Sequence, residues 1–156
     1  MIKILFICHG NICRSPMAEF IFKDMVQKQG RAAEFQIASR ATSDEEIYNG
    51  IGNPIYPPAQ RELRCNGIPF DGDKRAIQLR KQDYANYDYL ICMDAANMRN
   101  AAAMCGGDPQ QKLTLLMDYT GRGGSVADPW YSGDFETAFR DIYEGCAALL
   151  RAVSDT

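Results

Sequence analysis

The residues best suited to chemistry form one short stretch near the N-terminus, Cys8-His9-Gly10-Asn11-Ile12-Cys13-Arg14-Ser15. An apolar run at residues 2–7 precedes it and Pro16 follows, which predicts a strand, a tight turn and a helix with Ser15 as N-cap and Pro16 as first residue. A helix N-terminus offers unpaired N–H groups and about half a positive charge. Arg14 adds a planar guanidinium that matches two phosphate oxygens. We therefore predict that residues 9–15 bind phosphate.

Cys8 stands at the start of this electropositive loop. A helix N-terminus and a nearby cation favour the thiolate, which is the nucleophilic form of cysteine. Only five residues separate Cys8 from Arg14, so one turn holds a nucleophile and a phosphate-binding cation, a combination suited to attack on phosphorus. The alternative is a small buried apolar residue beside a surface arginine. The agreement of strand, loop glycine, arginine and helix start favours the chemical interpretation.

Two motifs resemble those of the low molecular weight protein tyrosine phosphatases, and the resemblance extends from Met1 to about Leu150. The motifs are Cys8-x-Gly-Asn-x-Cys-Arg-Ser-Pro-Met-Ala-Glu19 and Asp128-Pro129-Trp130-Tyr131. The resemblance implies hydrolysis of phosphotyrosine monoesters through a phosphocysteine intermediate. It implies phosphotyrosine-containing proteins as substrates, free phosphate as product and inhibitor, and no cofactor.

Asp128 is the candidate general acid. Protonation of the leaving oxygen is worth typically ~10²–10⁴-fold in rate. Asp128 lies between a glycine-rich segment, residues 120–125, and Pro129; taken alone, an Asp-Pro pair is more often an ordinary turn. The family resemblance assigns the general acid to Asp128, which then activates the water that hydrolyses the phosphocysteine. The catalytic residues are thus predicted to be Cys8, Arg14 and Asp128.

Aromatic residues next to Asp128 predict a substrate groove. Trp130 and Tyr131 alone could equally be core or surface residues, but beside the acid they suit the walls of a groove for a phenyl ring, with Tyr48 as a weaker candidate for the opposite wall. A deep groove selects phosphotyrosine, since a phosphoserine side chain is too short to reach its floor. Ile12 fits the same groove; relatives that resemble arginine phosphatases tend to have Thr there, so Ile12 favours tyrosine.

The resemblance also implies supporting and redox roles within the loop. Asn11 and Ser39 would hold it through hydrogen bonds, and Ser15 would donate to the Cys8 sulfur; the alternatives are a turn Asn and a polar Ser at a strand end. Cys13 would resolve an oxidised Cys8 as a disulfide, or else simply fill a small pocket. His9 would lie at the rim of the groove.

The chain departs from the family pattern at two positions beyond the loop. Lys74 and Ile77 stand where relatives usually have His and Arg. Residues 40–56 are predicted to form a long loop, longer than usual in the family, so substrate preference cannot be transferred from relatives.

The chain length predicts one domain over residues 1–156. A net charge of −3 gives no reason to expect nucleic-acid or membrane binding, and the first apolar run is too short for a membrane span or signal peptide, so we expect a cytoplasmic protein. The six cysteines are scattered and His9 is the sole histidine, which indicates neither disulfides nor a metal site. We expect a monomer.

Alternating strand and helix signals predict an α/β fold, a doubly wound, four-stranded parallel sheet with helices on both faces and the phosphate loop after strand 1. Ligands bind at the carboxyl ends of such strands, where Cys8 falls. The predicted strands are residues 2–7, 35–39, 87–93 and 112–117. The predicted helices are residues 15–29, one that starts at Pro57 or Pro58 and ends at 66–67, 95–105 capped by Asp94, and 135–153 capped by Asp134.

Three other functions remain open from the sequence. An arginine phosphatase would share the fold and the loop. An arsenate reductase would need a closely spaced resolving pair on a mobile segment, whereas Cys92 and Cys105 are far apart and Cys92 lies in an apolar strand. A non-catalytic phosphate-binding module would need Arg14 but neither Cys8 nor Asp128.

Overall fold

A four-stranded parallel sheet forms the centre of the computed structural model, which describes residues 1–154. Its strands are β1 Ile2–Cys8, β2 Phe35–Ala41, β5 Tyr89–Cys92 and β6 Leu113–Leu115. They lie in the order β2-β1-β5-β6. In the register, Ile4 of β1 lies opposite Ile37 on one side and Tyr89 on the other. The predicted doubly wound parallel sheet is confirmed.

Helices cover both faces of the sheet, as the sequence predicts. Successive residues of a strand point to opposite faces. Phe6 accordingly belongs to the core beneath α1 and α6, and Ile7 to a smaller core beneath α3 and α4. The helices are α1 Arg14–Lys28, α2 Pro57–Cys65, α3 Lys81–Asn86, α4 Ala95–Cys105, α5 Pro129–Ser132 and α6 Phe135–Ser154, with short 3₁₀ helices at Ala32–Glu34 and Leu116–Thr120. This burial on both sides explains why β1 is apolar apart from Lys3.

The first helix begins one residue before the predicted cap, so the assignment of Ser15 as N-cap is wrong. Cys13 is the N-cap of α1, without a side-chain cap hydrogen bond, and Arg14 is the first helical residue. The Ser15 hydroxyl is instead in contact with Cys8 and Asn11. Pro16 is still accommodated because the first N–H groups of a helix have no intrahelical partner.

The segment at residues 40–56 contains more structure than the sequence analysis predicted. β2 continues to Ala41, and a hairpin follows, formed by β3 Ile47–Tyr48 and β4 Ile51–Gly52. Its turn residues Asn49 and Gly50 both have positive φ, 52° and 78°. Asn-Gly between short apolar pairs is the usual signal for this turn, and the prediction of an open loop overlooked it.

Elsewhere the predicted boundaries hold closely. Asp94 caps α4, with its side chain accepting from Asn97 N, and Asp134 caps α6, with Oδ1 accepting from Thr137 N. The predicted strand at residues 112–117 is shorter because the chain turns into a 3₁₀ helix at Leu116. The helices α3 and α5 were not predicted. Residues 155 and 156 of the predicted single domain lie outside the described residues, and within residues 1–154 no helix has the length and apolar character to cross a membrane.

Candidate active site

A cavity of about 110 Å³ lies at the carboxyl edge of the sheet, next to the end of β1. Residues from three separate parts of the chain line it. They are Cys8, His9, Gly10, Ile12, Cys13, Arg14, Glu45, Glu46, Asp128, Trp130 and Tyr131. The three residues predicted to be catalytic, Cys8, Arg14 and Asp128, therefore face one space.

Backbone N–H groups of other segments hold the loop between β1 and α1 by donating to its carbonyl groups. The carbonyl oxygens of Cys8, His9 and Ile12 accept from the N–H groups of Thr42, Ser43 and Tyr56 at 3.0, 3.0 and 2.9 Å. Because these carbonyls accept from neighbouring segments, the loop is fixed next to the first turn of α1, whose N–H groups have no intrahelical partner and suit an anion.

Asn11 directs one such N–H group to the cysteine. Its backbone lies in the left-handed region, with φ of 59°, which Asn tolerates better than most residues. The Asn11 N–H donates to Cys8 Sγ at 3.3 Å. Ser15 Oγ lies 3.0 Å from the same sulfur. The Cys8 sulfur therefore lies within hydrogen-bond distance of two neighbouring groups.

Arg14 is a fixed cation of the cavity. Its Nη1 donates to Asp94 Oδ2 and to the Val126 carbonyl, both at 2.8 Å, and its Nη2 lies 3.6 Å from Asp128 Oδ2. The Arg14 side chain is only 3% exposed. Burial alone would lower the pKa of Arg14, but the Cys8 sulfur and the Asp94 carboxylate outweigh burial and raise it.

Asp94 is a site residue that the sequence analysis missed, because it was assigned only a capping role. One oxygen, Oδ1, accepts from Asn97 N at 2.8 Å and caps α4, while Oδ2 holds Arg14. The signal available in the sequence was its place just beyond β5, since ligand sites of such sheets lie at the carboxyl ends of strands.

Asp128 is held at the rim of the cavity by a helix that the sequence did not reveal. It is the N-cap of α5, and its Oδ1 accepts from Trp130 N at 3.0 Å. Its Oδ2 is the oxygen that faces Arg14. The side chain is 28% exposed, so this carboxyl group lies between the cation and solvent.

A buried hydrogen-bond network supports the loop beneath the cavity. Asn11 Nδ2 donates to Ser15 Oγ at 2.8 Å and to Ser39 Oγ at 2.9 Å. Ser39 Oγ in turn donates to Glu19 Oε1 at 2.5 Å, and Lys23 Nζ donates to Glu19 Oε2 at 2.6 Å. The structure thus joins the three predicted support residues, Asn11, Ser15 and Ser39, and adds Glu19, which lay within the first motif without an assigned role.

The two positions that depart from the family pattern also reach this network. Lys74 Nζ donates to Asn11 Oδ1 at 2.8 Å, and the Ile77 N–H donates to the same oxygen at 3.0 Å. Burial, reinforced by Arg40, lowers the pKa of Lys74 to about 8, against the opposing effect of Glu19.

The predicted groove residues are divided between the cavity and the surface. Ile12, Trp130 and Tyr131 line the cavity. The ring of Trp130 packs on Tyr56 with centroids 4.8 Å apart, whereas Tyr131 is 87% exposed. Tyr48 lies in β3, 63% exposed and outside the cavity lining.

The part of the long segment that does line the cavity is acidic. Glu45 and Glu46 both belong to the lining, and neither was predicted. Glu45 Oε2 lies 2.9 Å from His9 Nε2, which places His9 at the rim, close to a carboxylate.

Cys13 is buried in the wall of the same cavity, at the N-cap of α1. Burial raises the pKa of the Cys13 thiol, and Cys8 and Asp128 act in the same direction. Cys13 is therefore protonated at neutral pH. Within residues 1–154, no group of three or more His, Cys, Asp or Glu side chains is placed to hold a metal ion.

A known protein family matches nearly the whole chain. The family model described as "Low molecular weight phosphotyrosine protein phosphatase" matches residues 3–156. The chain belongs to the low molecular weight protein tyrosine phosphatase family. The predicted family is therefore confirmed.

Other members of the low molecular weight phosphatase family match along nearly the whole chain. The protein-tyrosine-phosphatase YfkJ of Bacillus subtilis is 39% identical over 155 residues, which cover 98% of this chain and 96% of YfkJ. The human low molecular weight phosphotyrosine protein phosphatase is 36% identical over 157 residues, covering 95% of this chain and 93% of the human protein.

The fold agrees with crystal structures of this phosphatase family. The crystal structure of YfkJ superimposes with a TM-score of 0.93 over 99% of this chain and 96% of that chain. The enzyme SP-PTP of Streptococcus pyogenes, 38% identical, gives 0.86 over 97% of this chain and 93% of its own.

Proposed function

We propose that this protein hydrolyses phosphotyrosine in protein substrates through a phosphocysteine intermediate. The observation that carries the proposal is the shared cavity: Cys8, Arg14 and Asp128 all line it, with Cys8 and Arg14 buried and Asp128 28% exposed. The phosphate would lie against the Arg14 guanidinium and the loop N–H groups, which stabilise charge on its oxygens. The Cys8 thiolate would then attack phosphorus and displace the tyrosine oxygen.

Asp128 serves two steps in this proposal. It donates a proton to the departing phenolic oxygen, and the resulting carboxylate then takes a proton from the water that attacks the phosphocysteine. Its position at the mouth of the cavity supports both roles, because the leaving group and the incoming water each approach from the solvent side. The second step releases inorganic phosphate, which binds the same loop as a product inhibitor.

The lining of the cavity favours a phenyl ring as part of the leaving group. Ile12 and Trp130 supply apolar surface to the lining, and the exposed Tyr131 adds a second aromatic ring. This lining supports phosphotyrosine over phosphoarginine as substrate. A role for Tyr48 in the groove stays a prediction.

The burial of the other cysteines opposes arsenate reduction. Cys92 is fully buried in β5 and Cys105 is buried in α4, both within the smaller core. Burial raises the pKa of both thiols, so neither is suited to exchange with a partner on a mobile segment. The presence of Cys8 and Asp128 beside Arg14 likewise favours catalysis over simple phosphate binding.

Cys8 and Cys13 form the proposed redox pair. A thiolate is oxidised before a protonated thiol, so peroxide that enters the cavity would convert Cys8 to a sulfenic acid with release of water. The Cys13 thiol would then condense with it, forming the disulfide and a second water. Both residues line one cavity, which supports their approach.

Location and assembly remain proposals of the same kind. All six cysteines are free thiols, which supports a reducing, cytoplasmic location. A monomeric state stays a prediction, which the elution volume in gel filtration would test.

A phosphatase assay on the purified protein tests the proposal. We expect release of phosphate from a phosphotyrosine peptide, unaffected by a chelator, and little release from phosphoserine or phosphoarginine peptides. Cys8→Ser should abolish turnover, and Arg14→Lys should lower it severely because an ammonium cannot replace the planar fork. Cys65→Ser is the matched control, since Cys65 is an exposed thiol outside the cavity. Substantial turnover by Cys8→Ser would overturn the proposed mechanism. Faster phosphate release from a phosphoarginine peptide than from a phosphotyrosine peptide would overturn the proposed substrate.

A further inference from the structure

Lys74 contacts the phosphate loop from a segment outside both motifs. Its Nζ donates to Asn11 Oδ1 at 2.8 Å and to the Arg75 carbonyl at 2.7 Å. The second donor to Asn11 Oδ1 is the Ile77 N–H. An ammonium group and a peptide N–H can only donate hydrogen bonds. Together they therefore fix the oxygen end of the Asn11 amide, and its NH₂ end must face the other way.

This orientation determines the direction of the remaining hydrogen bonds. Asn11 Nδ2 donates to the hydroxyl groups of Ser15 and Ser39. Each hydroxyl has one proton of its own, which is then free for a different partner. Ser39 donates its proton to Glu19 Oε1, and Ser15 is left to donate to Cys8 Sγ. The donor-only contacts at Asn11 Oδ1 thus lead to a hydrogen bond on the nucleophilic sulfur.

The residues that follow Lys74 are anchored to two other parts of the chain. Arg75 forms an isolated bridge with Pro54, and Ala76 N donates to the Asn53 carbonyl at 2.9 Å. The Ile77 carbonyl accepts from Ala41 N at 2.7 Å, at the end of β2. The backbone on the C-terminal side of Lys74 is therefore fixed relative to the loop, and Lys74 is not a surface lysine that samples many positions.

We propose that Lys74 is a positioning residue for the nucleophile, which fixes the Asn11 amide so that Ser15 donates its hydroxyl proton to the Cys8 thiolate. The inference rests on the proposed role of Cys8. The charge of Lys74 also lies near the sulfur, and the attraction between an ammonium and a thiolate favours both charged forms.

The charged groups around Lys74 make this function dependent on pH. Lys74 lies near Cys8, Glu19 and Lys23 of α1, and Arg40 of β2. Burial, Arg40 and Lys23 lower the pKa of Lys74 to about 8, and Glu19 and Cys8 act in the opposite direction. Above that pH a neutral amine can accept as well as donate, so it no longer fixes the orientation of the Asn11 amide.

Three substitutions separate the donor from the bulk of the side chain. Lys74→Met removes donor and charge, Lys74→Gln can still present an NH₂ group, and Lys74→Glu places an acceptor against Asn11 Oδ1. We expect Lys74→Met to lower kcat about tenfold, the equivalent of one charge-assisted hydrogen bond, with a smaller change in KM. The kcat should fall less in Lys74→Gln and more in Lys74→Glu. Lys28→Met is the matched control, because Lys28 is exposed and pairs with Asp24 at the far end of α1.

The state of the sulfur gives a readout that does not depend on turnover. The rate of alkylation of Cys8 by iodoacetamide, followed by the mass of its peptide, reports the thiolate fraction at each pH. We expect its midpoint pH to rise in Lys74→Met and to stay unchanged in Lys28→Met. A purely structural role for Lys74 would lower the melting temperature and leave that midpoint in place.

The pH profile completes the test. The ratio of wild-type to Lys74→Met kcat should be constant below about pH 7 and fall as pH passes about 8. Wild-type kcat and alkylation midpoint in all three variants would overturn the positioning role, and so would a Lys74→Glu variant as active as Lys74→Met. If the wild type hydrolysed no phosphotyrosine, the proposed function would fail, while the alkylation series would still decide the role of Lys74.

Discussion

Arg14 Nη2 lies 3.6 Å from Asp128 Oδ2, so the proposed phosphate-binding cation and the proposed proton donor are in direct electrostatic contact. On its other side Arg14 is held by Asp94 at 2.8 Å. Asp94 and the Val126 carbonyl fix the guanidinium in the wall, whereas Asp128 is the N-cap of the four-residue helix α5. Asp128 lines the cavity and Asp94 does not, so a phosphate against Arg14 would present its leaving oxygen to Asp128.

The contact between Arg14 and Asp94 predicts that Asp94 is needed for activity. Asp94→Asn should lower kcat/KM about tenfold or more, because it removes the charge that holds the buried guanidinium. The free energy of unfolding of Asp94→Asn should change little, since Asn caps helices almost as well as Asp. Steady-state kinetics and urea unfolding measure the two effects.

Asp94→Ala is the matched comparison for this prediction. It should share the loss of activity and lose about 1 kcal/mol more of the free energy of unfolding than Asp94→Asn, because α4 also loses its cap. An Asp94→Asn variant with wild-type kcat/KM would show that Val126 and the loop suffice to hold Arg14.

The role of Asp128 is tested through the leaving group. Asp128→Asn keeps the cap of α5 and removes the acid, so phosphotyrosine should be hydrolysed ~10²–10⁴-fold more slowly. The hydrolysis rate of p-nitrophenyl phosphate should fall much less, because its leaving group needs less protonation. Asp134→Asn, at the cap of the next helix, is the control and should behave as wild type. An equal loss for both substrates would mean that Asp128 shapes the groove without transferring a proton.

Cys13 is predicted to protect the nucleophile from irreversible oxidation. Mild peroxide should inactivate the wild type, phosphate should slow the loss by occupying the loop, and a thiol reductant should restore activity. In Cys13→Ala the initial activity should survive and recovery should largely disappear. The mass of peroxide-treated protein should fall by two hydrogens, located at Cys8 and Cys13. Full recovery of Cys13→Ala, or no such mass change in the wild type, would rule out the disulfide.

Lys74 is predicted to reduce stability near neutral pH. In the unfolded chain a lysine has a pKa of roughly 10.4, whereas burial lowers the pKa of Lys74 to about 8 in the folded protein. Between these values the unfolded state binds more protons, so the contribution of Lys74 to stability rises with pH. Below about pH 8 the folded protein must hold a partly buried charge.

Lys74→Met should therefore be the more stable protein at pH 7, by about 1–2 kcal/mol after the lost hydrogen bonds are subtracted. Urea unfolding at pH 7 and at pH 9.5 should show that advantage shrinking as pH rises. An advantage that grows with pH would contradict the lowered pKa of Lys74. A variant that is more stable and yet less active would agree with the positioning role.

The sequence alone determined the features that depend on neighbouring residues. Cys8 and Arg14 face the same cavity because one short loop between a strand and a helix connects them. The caps Asp94 and Asp134, and most helix bounds, follow from the same local chemistry. The Asn49-Gly50 turn was also readable from the sequence, although it was overlooked.

Only the tertiary structure decided which distant groups meet at the loop. Asp94 reaches Arg14 across 80 residues of chain, and Lys74 reaches Asn11 across 63. Such contacts depend on strand order and on how the segment after α2 packs against β2, which no local pattern encodes. The Ser15 hydroxyl shows the same limit, since local chemistry predicted a helix cap and the folded protein places it against Cys8. A side chain with several possible partners bonds to the one that the fold brings within reach, and that choice is made by the whole chain.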